Sequence, residues 1–286
     1  MTLNLEVSAM TVRESLYTSS NGIKSSLEHL STGLHINKAS DDPSGLSIAD
    51  KLRTQASSIS QGISNINSGV SLTQIADKAM VEQSNMLDVI KQKLIQQATA
   101  TTSIDGAKSI AKDISKLIDQ IDNISDTTTY NGQMLLQESA AGTSLELRFQ
   151  VGITSNDTIS LQAGIFSNQS GLGVSTLYDS AVGAGWTTAT SAQDSARSFL
   201  QTIDDALTTL NAWRADVGST QSQLESSVRN LATSVTNLKN AESVIRDTDF
   251  AKESANFSKS NITNQAGTYA LSQANALQDS VLSYLT

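Results

Sequence analysis

The chain has 286 residues, of which 38% are hydrophobic and 4% aromatic, with a net charge of −9 and no cysteine. An apolar fraction below the roughly 45–50% of ordinary domains excludes a thick globular core and predicts long helices joined by narrow apolar seams. The acidic balance argues against a nucleic-acid-binding surface, which concentrates Lys and Arg. The lack of cysteine excludes disulfides and Cys-based zinc sites.

The sequence also lacks targeting and catalytic motifs. It begins without the basic and apolar segments of a secretory signal, so we expect no cleaved signal peptide, and no apolar run is long enough to span a membrane. The two histidines belong to no H-E-x-x-H motif, and neither a P-loop nor a G-x-S-x-G sequence occurs. We therefore predict no enzyme, no cofactor and no metal site. His29 is predicted to be solvated or to flank a helical seam rather than to bind a ligand.

The first predicted helix runs from Leu3 to about Ser31. Its apolar residues are spaced as in one coiled-coil seam, at Leu16, Ile23, Leu27, Leu30 and Leu34. Residues 1–15 are less regular, which is compatible with disorder in an isolated monomer.

A non-helical connection between two long helices, here called the break, is predicted at residues 34–42. Gly33 is a good helix terminator. Asp42 precedes the only proline of the chain, which pushes it out of the α region and suits it to cap the next helix. Pro43 fits the first helical position, where its missing N–H costs nothing. Asp41 and Asp42 could hold a cation, but capping is the better interpretation.

A much longer helix is predicted from residue 43 to 98, with a length of roughly 80 Å at 1.5 Å per residue. Its seam repeats every seven residues at Leu52, Ile59, Ile66, Thr73, Met80, Leu87 and Leu94. A further helix follows from Ile104, and Tyr130-Asn-Gly132 predicts a turn after it.

After this turn, apolar residues recur at every second position instead of at helical spacing. Leu145, Leu147, Phe149 and Val151 alternate with polar residues and predict a strand, and Ile159, Leu161 and Ala163 predict its hairpin partner. We predict a small third strand near Val174–Leu177. Residues 167–193 are rich in Gly, Ser, Thr and Asn and predict an exposed loop.

The most regular helix comes next. It places an apolar residue at every seventh position, at Ile203, Leu210, Val217, Leu224, Leu231, Leu238 and Ile245. A last helix is predicted from about Phe250 to Leu285, with Asp247 and Asp249 suited to its first turn.

These elements predict a mainly α fold of long, antiparallel, coiled-coil-like helices with a small β-hairpin region in the middle of the chain. The predicted segments are 1–42, a terminal helix and break; 43–136, long helices; 137–193, hairpin and loop; 194–249, a return helix; and 250–286, the C-terminal helix. One seam per helix leaves apolar surface uncovered at the chain ends, so we expect the terminal helices to need other copies of the chain.

Three stretches resemble bacterial flagellins. Leu30–Arg53 is similar to the family's L-S-x-G-x-x-I-N and D-D-x-x-G-L-x-I-A motifs. Thr127–Leu136 resembles the family's Asn-Gly, Leu-Leu run before the hairpin. Ala255–Asn275, with Val281–Leu285, resembles the closing helix. The resemblance covers residues 1–140 and about 190–286.

The resemblance implies a subunit of the helical flagellar filament used for swimming, with both termini in an inner layer around a lumen and an outer rod of helices. The implied inner-layer contacts are Leu16, Ile23, Leu27, Leu30, Phe257, Ala274, Leu277, Val281 and Leu285. The implied spoke between the layers contains Gly33, His35, Asn37, Asp41, Asp42 and Pro43. The rod seam contains Ile59, Ile66, Leu87, Leu210, Leu224, Leu231 and Leu238.

The resemblance also implies partners and a location. Copies of the chain would form a homopolymer outside the cell, exported through the flagellar type III channel without a cleaved signal peptide. An export chaperone would bind the C-terminal helix, and cap and hook-junction proteins would contact the polymer. No nucleic acid or membrane span is implied.

Two departures from the family pattern matter. Position 35 is His where flagellins often carry Arg, so a contact made by that arginine would be weaker or pH-dependent. Met86–Leu94 lacks the arginines that flagellins recognised by the innate immune receptor carry, which resembles the epsilonproteobacterial type and predicts weak receptor activation.

Two other function classes share features with this sequence. A hook–filament junction adaptor related to flagellin is similar in length and helical in the same places, but the complete closing motif at Gln265-Ala-Gly267 favours flagellin. A cytoplasmic coiled-coil signalling protein predicts uninterrupted heptads and no hairpin, and residues 140–165 count against it.

Overall fold

The computed structural model of the protein describes residues 2–137, 147–161, 165–183, 186 and 188–285, without the side chains of 2–6, 8 and 277–285. These ranges contain α1 (Thr2–Thr32), α2 (Pro43–Gln97), α3 (Ile104–Thr127), β1 (Thr129–Tyr130), β2 (Gln133–Met134), β3 (Arg148–Gln150), β4 (Thr158–Ser160), α4 (Ser175–Gly183), α5 (Ala189–Arg246) and α6 (Phe250–Leu285). The predicted fold class, mainly α with a small β region in the middle, is confirmed. None of the helices within these ranges is long and apolar enough to cross a membrane.

The chain divides into two compact units. Unit 1 combines Met1–Ala56 with Val235–Thr286, and unit 2 is Ser57–Ser234. Unit 1 therefore contains both ends of the chain, together with the start of α2 and the end of α5. The predicted segments 1–42 and 250–286 fall within unit 1, and the predicted segment 137–193 falls within unit 2.

Polar contacts show the direction of the long helices in unit 2. Asp77 on α2 accepts a 3.1 Å hydrogen bond from Arg214 on α5, and further along α2 Lys91 pairs with Asp204. The α5 partner moves towards the N-terminus as α2 advances, so the two helices are antiparallel, as predicted. Gln83 on α2 donates to the Ile121 carbonyl on α3 over 3.1 Å.

The core of unit 2 follows the heptad spacing of its helices. Each apolar side chain buried at a seam position contributes on the order of 1.5–3 kcal/mol to the free energy of folding. The repeated spacing therefore accounts for the pairing of long helices that are otherwise polar. Ten seam residues of unit 2 along α2 and α5 are at most 7% exposed, at Ile59, Ile66, Thr73, Met80, Leu87, Leu94, Ile203, Leu210, Val217 and Leu224. Leu231 and, in unit 1, Leu238 are half-buried.

Two short hairpins lie between α3 and α4. Asn131 and Gly132 connect β1 to β2 with φ angles of 51° and 79°, which is the turn that an Asn-Gly pair favours and that the sequence predicted. β3 and β4 pair antiparallel, with Phe149 opposite Ile159. The predicted strand residues Leu145 and Ala163 lie outside the described residues.

Glycines allow the second hairpin to approach α2 closely. A Cβ atom on Gly62 would lie 2.7 Å from the Val151 carbonyl oxygen, and a Cβ atom on Gly69 would lie 2.8 Å from the Phe149 ring. Between them, the Asn65 side chain donates to the Gln150 carbonyl over 3.4 Å. These contacts position the hairpin along two turns of α2.

The prediction of a third strand near Val174–Leu177 and of an exposed loop over residues 167–193 is wrong. Residues 175–183 form α4, and α5 begins at Ala189. Leu177 and Ala181, four residues apart on one face of α4, are 2% and 6% exposed. The Gly and Ser content of the stretch predicted a loop, but this one apolar face is enough to pack a short helix against the core.

Candidate functional site

Residues 33–42 form a compact connection between α1 and α2. Gly33 ends α1 with a φ of 74°, and its N–H donates to the His29 carbonyl over 2.8 Å. A left-handed residue at this position is the usual way in which a helix satisfies its last carbonyl groups, and glycine adopts it without strain.

Asp41 fixes the turn that follows. Its Oδ2 atom accepts hydrogen bonds from the backbone N–H groups of Asn37 at 3.0 Å and Lys38 at 2.8 Å. The N–H of Lys38 and then that of Asn37 lower the pKa of the Asp41 carboxyl, because they favour its charged form. The Asn37 side chain donates to the Leu34 carbonyl over 3.0 Å, so the whole turn is held by side chains of its own sequence.

Asp42 and Pro43 begin α2. The Asp42 carboxylate accepts a 3.0 Å hydrogen bond from the Ser44 N–H, the geometry of a helix cap, and α2 starts at Pro43. Gly45 is buried beneath Ile36, and a Cβ atom there would lie 2.8 Å from the Ile36 Cδ1 atom. Ile36 is 3% exposed, so it anchors the connection to α2.

A second chain segment, residues 246–249, pairs with this connection. Leu34 and Asp247 form an isolated antiparallel bridge. The His35 N–H donates to the Arg246 carbonyl over 2.7 Å, and the Thr248 N–H donates to the Gly33 carbonyl over 2.9 Å. We call residues 33–42 together with 246–249 the joint. Its two strands belong to opposite halves of the sequence.

The helices on the terminal side of the joint lie against each other. Ser19 on α1 donates to the Ser260 carbonyl on α6 over 2.7 Å, which requires the two backbones to be close. A Cβ atom on Gly267 would lie 2.8 Å from the Leu16 side chain. The partner on α6 moves towards the C-terminus as α1 is followed towards its N-terminus, so the pair is antiparallel.

A polar cluster joins the helix pair to the joint. His29 Nδ1 lies 3.4 Å from Glu253 Oε1, with the side chains 13% and 11% exposed. A hydrogen bond from Ser26, followed by one from Asn256, lowers the pKa of Glu253 because both stabilise the carboxylate. The ring centroids of His29 and His35 are 5.2 Å apart at an interplanar angle of 65°.

The α1–α6 pair covers only part of its apolar surface. Leu16, Ile23, Leu30, Phe257 and Ala274 are half-buried in the pair. Leu27 is 49% exposed. The side chains of Leu277, Val281 and Leu285 lie outside the described residues.

Further large apolar side chains in the described part of α1 and α6 point away from the pair. On α1, Met10 and Tyr17 are 68% and 66% exposed, and on α6, Ile262 and Tyr269 are 68% and 78% exposed. The members of each pair are seven residues apart, so they share one stripe of their helix. Each helix therefore has a second apolar stripe, on the side that its partner in the pair does not cover.

Sequence reasoning found one side of the joint and missed the other. It singled out six residues that the structure places in one short segment: Gly33, His35, Asn37, Asp41, Asp42 and Pro43. It placed Asp247 and Asp249 in the first turn of the last helix; Asp249 does cap α6, whereas Asp247 lies before the helix and pairs with Leu34. It did not connect Glu253 with His29. The available signal was the mirrored order of the elements, helix–break–long helix at one end and long helix–break–helix at the other.

The described residues contain no group of three His, Cys, Asp or Glu side chains that could hold a metal ion. The site consists of the joint with its paired backbone segments, the closely packed α1–α6 pair and the uncovered apolar stripes of both helices. This arrangement is suited to binding protein surfaces.

Residues 3–141 match the bacterial flagellin N-terminal helical region, and residues 200–285 match the bacterial flagellin C-terminal helical region. Over 162 residues the chain is 46% identical to Flagellin A of Helicobacter pylori; the match covers 57% of this chain but 31% of that protein. The chain thus spans about a third of the length of this relative. It is 31% identical to the flagellar filament 30.7 kDa core protein of Treponema maltophilum, with both chains covered completely.

Among solved structures, a flagellar hook-associated protein from Vibrio parahaemolyticus is similar with a TM-score of 0.58. That similarity covers 72% of this chain and 99% of the other chain at 14% sequence identity. At this identity it shows the fold alone and carries no information on function.

Proposed function

Because the chain belongs to the bacterial flagellin family, we propose that it is the structural subunit of a flagellar filament. The role is structural and uses no catalysis. The hook–filament junction adaptor is not favoured, since the hook-associated relative resembles this chain in fold only.

The observation that supports this proposal is the uncovered surface of α1 and α6. Nine of the fifteen exposed large apolar side chains among the described residues lie in unit 1, which is the smaller unit. Contiguous exposed apolar surface on a soluble protein marks an interaction site. Neighbouring copies that bury the stripes of Met10 and Tyr17 and of Ile262 and Tyr269 would offset the ordering cost of the terminal helices.

The same reasoning gives the proposed roles of the remaining residues. Non-closing contacts between different faces generate a helical polymer. We propose that the terminal helices form the inner layer of the filament. The proposed contacts are Leu16, Ile23, Leu27, Leu30, Phe257, Ala274, Leu277, Val281 and Leu285. The joint would be the spoke, and α2 and α5 would form the outer rod.

The resemblance further supports an export chaperone that binds α6, contacts with cap and hook-junction proteins, and secretion through the flagellar export channel to the outside of the cell. Removal of residues 255–286 is expected to abolish chaperone binding in a co-purification experiment, while removal of residues 1–30 leaves it intact.

The proposal is tested with the full chain by salting-out, sedimentation and negative-stain electron microscopy. The wild-type protein is expected to form long tubes. The double substitution Ile262→Ser and Tyr269→Ser is expected to leave the protein in the supernatant.

The matched control is Ile153→Ser with Val182→Ser, which removes two unit 2 side chains of similar exposure, 52% and 61%. This variant is expected to form tubes. Wild-type protein that stays monomeric under all salting-out conditions contradicts the filament role, and tubes formed by the Ile262 and Tyr269 variant contradict the proposed contact surface.

A further inference from the structure

The outward side of α3 carries its charges in two separate blocks. We call them the basic half, which contains Lys108, Lys112 and Lys116, and the acidic half, which contains Asp119, Asp122 and Asp126. At 3.6 residues per turn the six side chains lie within about 120° of one another around the helix axis. Asp122 is half-buried and the other five are exposed.

We propose that this face of α3 binds the same face of a second copy of the chain in antiparallel orientation, so that the basic half of each copy contacts the acidic half of the other. The inference concerns free subunits and does not depend on the filament role.

The stability of α3 itself does not explain the order of the charges. Negative charge stabilises the N-terminus of a helix and positive charge its C-terminus. Asp105 in the first turn is favourably placed, but the last turn contains no basic residue and carries Asp126. Lysines four residues apart also repel each other. An exposed helix that is only solvated typically alternates its charges, so this separation points to a partner.

The basic half is available to such a partner. None of its three lysines forms an ion pair within the part of the chain that the structure describes. The neighbouring carboxylate of Asp113 is already paired with Lys93 at 2.8 Å. Asp105 is exposed one turn before Lys108 and offsets a single charge, so positive charge remains in excess.

The acidic half is held in place by neutral donors. The Tyr178 hydroxyl on α4 donates to the Asp119 carboxylate, and the Gln137 amide donates to that of Asp126. Neither donor brings a charge, so the negative charge of this half is not cancelled. Its effect is seen at Tyr178, whose pKa is raised by the hydrogen bond to Asp119 and then by the charges of that carboxylate and its neighbours.

The two halves match each other in spacing. Their centres, Lys112 and Asp122, are ten residues apart, which is about 15 Å along the helix. An antiparallel pair centred at Leu117 would therefore bring every charge opposite a charge of the other sign. Because such a pair has twofold symmetry, each contact is made twice. The contacts are Lys108 with Asp126, Lys112 with Asp122, and Lys116 with Asp119.

The net charge of the chain makes this alignment selective. Two copies that each carry a charge of −9 repel each other over most of their surface. Complementary charges fix the orientation in which two surfaces meet, and exposed charges are screened by salt. We therefore expect a dimer that forms at low ionic strength and in one arrangement.

The test is sedimentation velocity of the full chain at about 20 mM and about 300 mM NaCl. The wild type is expected to form dimers at the lower salt concentration, and the dissociation constant should rise at least about tenfold at the higher one. Polymerisation through apolar stripes is instead promoted by salting-out, so the salt dependence distinguishes the two kinds of association.

Charge reversal identifies the surface. At low salt, Lys108→Glu with Lys116→Glu should weaken the dimer at least about tenfold. Asp119→Lys with Asp126→Lys should weaken it as much, although it reduces the net negative charge. An equimolar mixture of the two variants should restore the wild-type dissociation constant, because every reversed position then meets a reversed position on the partner.

The matched control is Lys78→Glu with Arg229→Glu. Both residues are exposed in unit 2 outside α3, and the change in net charge equals that of the lysine variant. This control should keep the dissociation constant within about twofold of the wild type. Circular dichroism verifies that each variant is folded.

The proposal is overturned if the wild type is monomeric at both salt concentrations, if the dimer withstands either reversal in α3, or if the mixture fails to restore it. Growth beyond two copies at low salt overturns it as well, because a twofold contact is closed. None of these results affects tube formation on salting-out, so the filament role is tested separately.

Discussion

The Nε atom of Arg246 donates a 3.2 Å hydrogen bond to the carbonyl oxygen of Ile36, a residue 210 positions earlier in the chain. The Arg246 carbonyl accepts in turn from the His35 N–H, and its guanidinium lies 3.8 Å from the Asp50 carboxylate. One residue thus contacts the joint with its backbone and its side chain, and contacts the first turns of α2 as well.

Replacing Arg246 with Ala should lower the free energy of unfolding of unit 1 by about 1.5–3 kcal/mol, the range for hydrogen bonds to charged groups. The side chain is 16% exposed, so water replaces little of what is lost. Urea unfolding followed by circular dichroism measures the change. Arg197→Ala is the control: its side chain is 58% exposed, pairs with Asp194 one helical turn away and donates a long 3.4 Å hydrogen bond to the Ala98 carbonyl, which predicts a loss under about 1 kcal/mol. Equal losses in both variants would show that the joint does not depend on Arg246.

Gly267 tests the close approach of α1 and α6. In Gly267→Ala the new methyl group would lie 2.8 Å from the Leu16 side chain, so the helices must separate or Leu16 must move. We expect a loss of about 1–3 kcal/mol from unit 1, as for overpacked cores.

The same substitution at Gly218, inside α5, should have the opposite sign. Nothing lies within 4 Å of its would-be Cβ atom, so Gly218→Ala should gain up to about 1 kcal/mol from helix propensity alone. Thermal unfolding of the two variants gives the comparison. A stabilising Gly267→Ala would mean that the helix pair is looser than described.

Asp42 caps α2, and Asp42→Ala should cost about 0.5–2 kcal/mol. We expect the loss to appear chiefly as filaments that dissociate at lower temperature, because α2 begins at the joint. Asp249→Ala removes the matching cap of α6, where the carboxylate accepts from the N–H groups of Ala251 and Lys252. If Asp42→Ala changes only the melting of the monomer, the joint acts as an ordinary turn.

Asp122 on α3 predicts a pH dependence in unit 2. Burial raises the pKa of its carboxyl, whereas the Gln169 N–H that it accepts at 2.7 Å acts in the other direction. Because the pKa of Asp122 is raised in the folded protein, its charged form lowers the stability of unit 2 at neutral pH. This loss is recovered as the pH falls and the carboxylate takes up a proton. Asp122→Asn keeps an acceptor without the charge and should stabilise unit 2 at pH 7 but not at pH 4. Tryptophan fluorescence in urea measures it, and a variant less stable at pH 7 refutes the assignment.

The parts of the fold that depend on local pattern could be predicted. Heptad spacing located Ile66, Leu87, Leu210 and Leu224, all of them fully buried, because a seam repeats along one helix and needs no knowledge of the partner. The cap at Asp42 follows from its position before Pro43. The short helix α4 could not be predicted in this way, because its face is only two or three residues long and its composition is that of a loop.

The joint was half-predictable for a related reason. Leu34 and Asp247 pair through their backbones, and backbone pairing between distant segments leaves little trace in side-chain pattern. The meeting of His29 and Glu253 depends on how α1 and α6 are rotated against each other, which the exposed stripe of each helix does not determine.

The pairing of Leu34 with Asp247 has a kinetic consequence. A ribosome delivers the chain from its N-terminus, so α1 is made more than two hundred residues before α6 and the segment 246–249, with which unit 1 pairs, emerge. Contacts of such long sequence separation close slowly, because loop closure comes before the stabilisation that it allows. We therefore expect unit 1 to be the last part of the protein to form, because α1 lacks its intramolecular partner until α6 has been made.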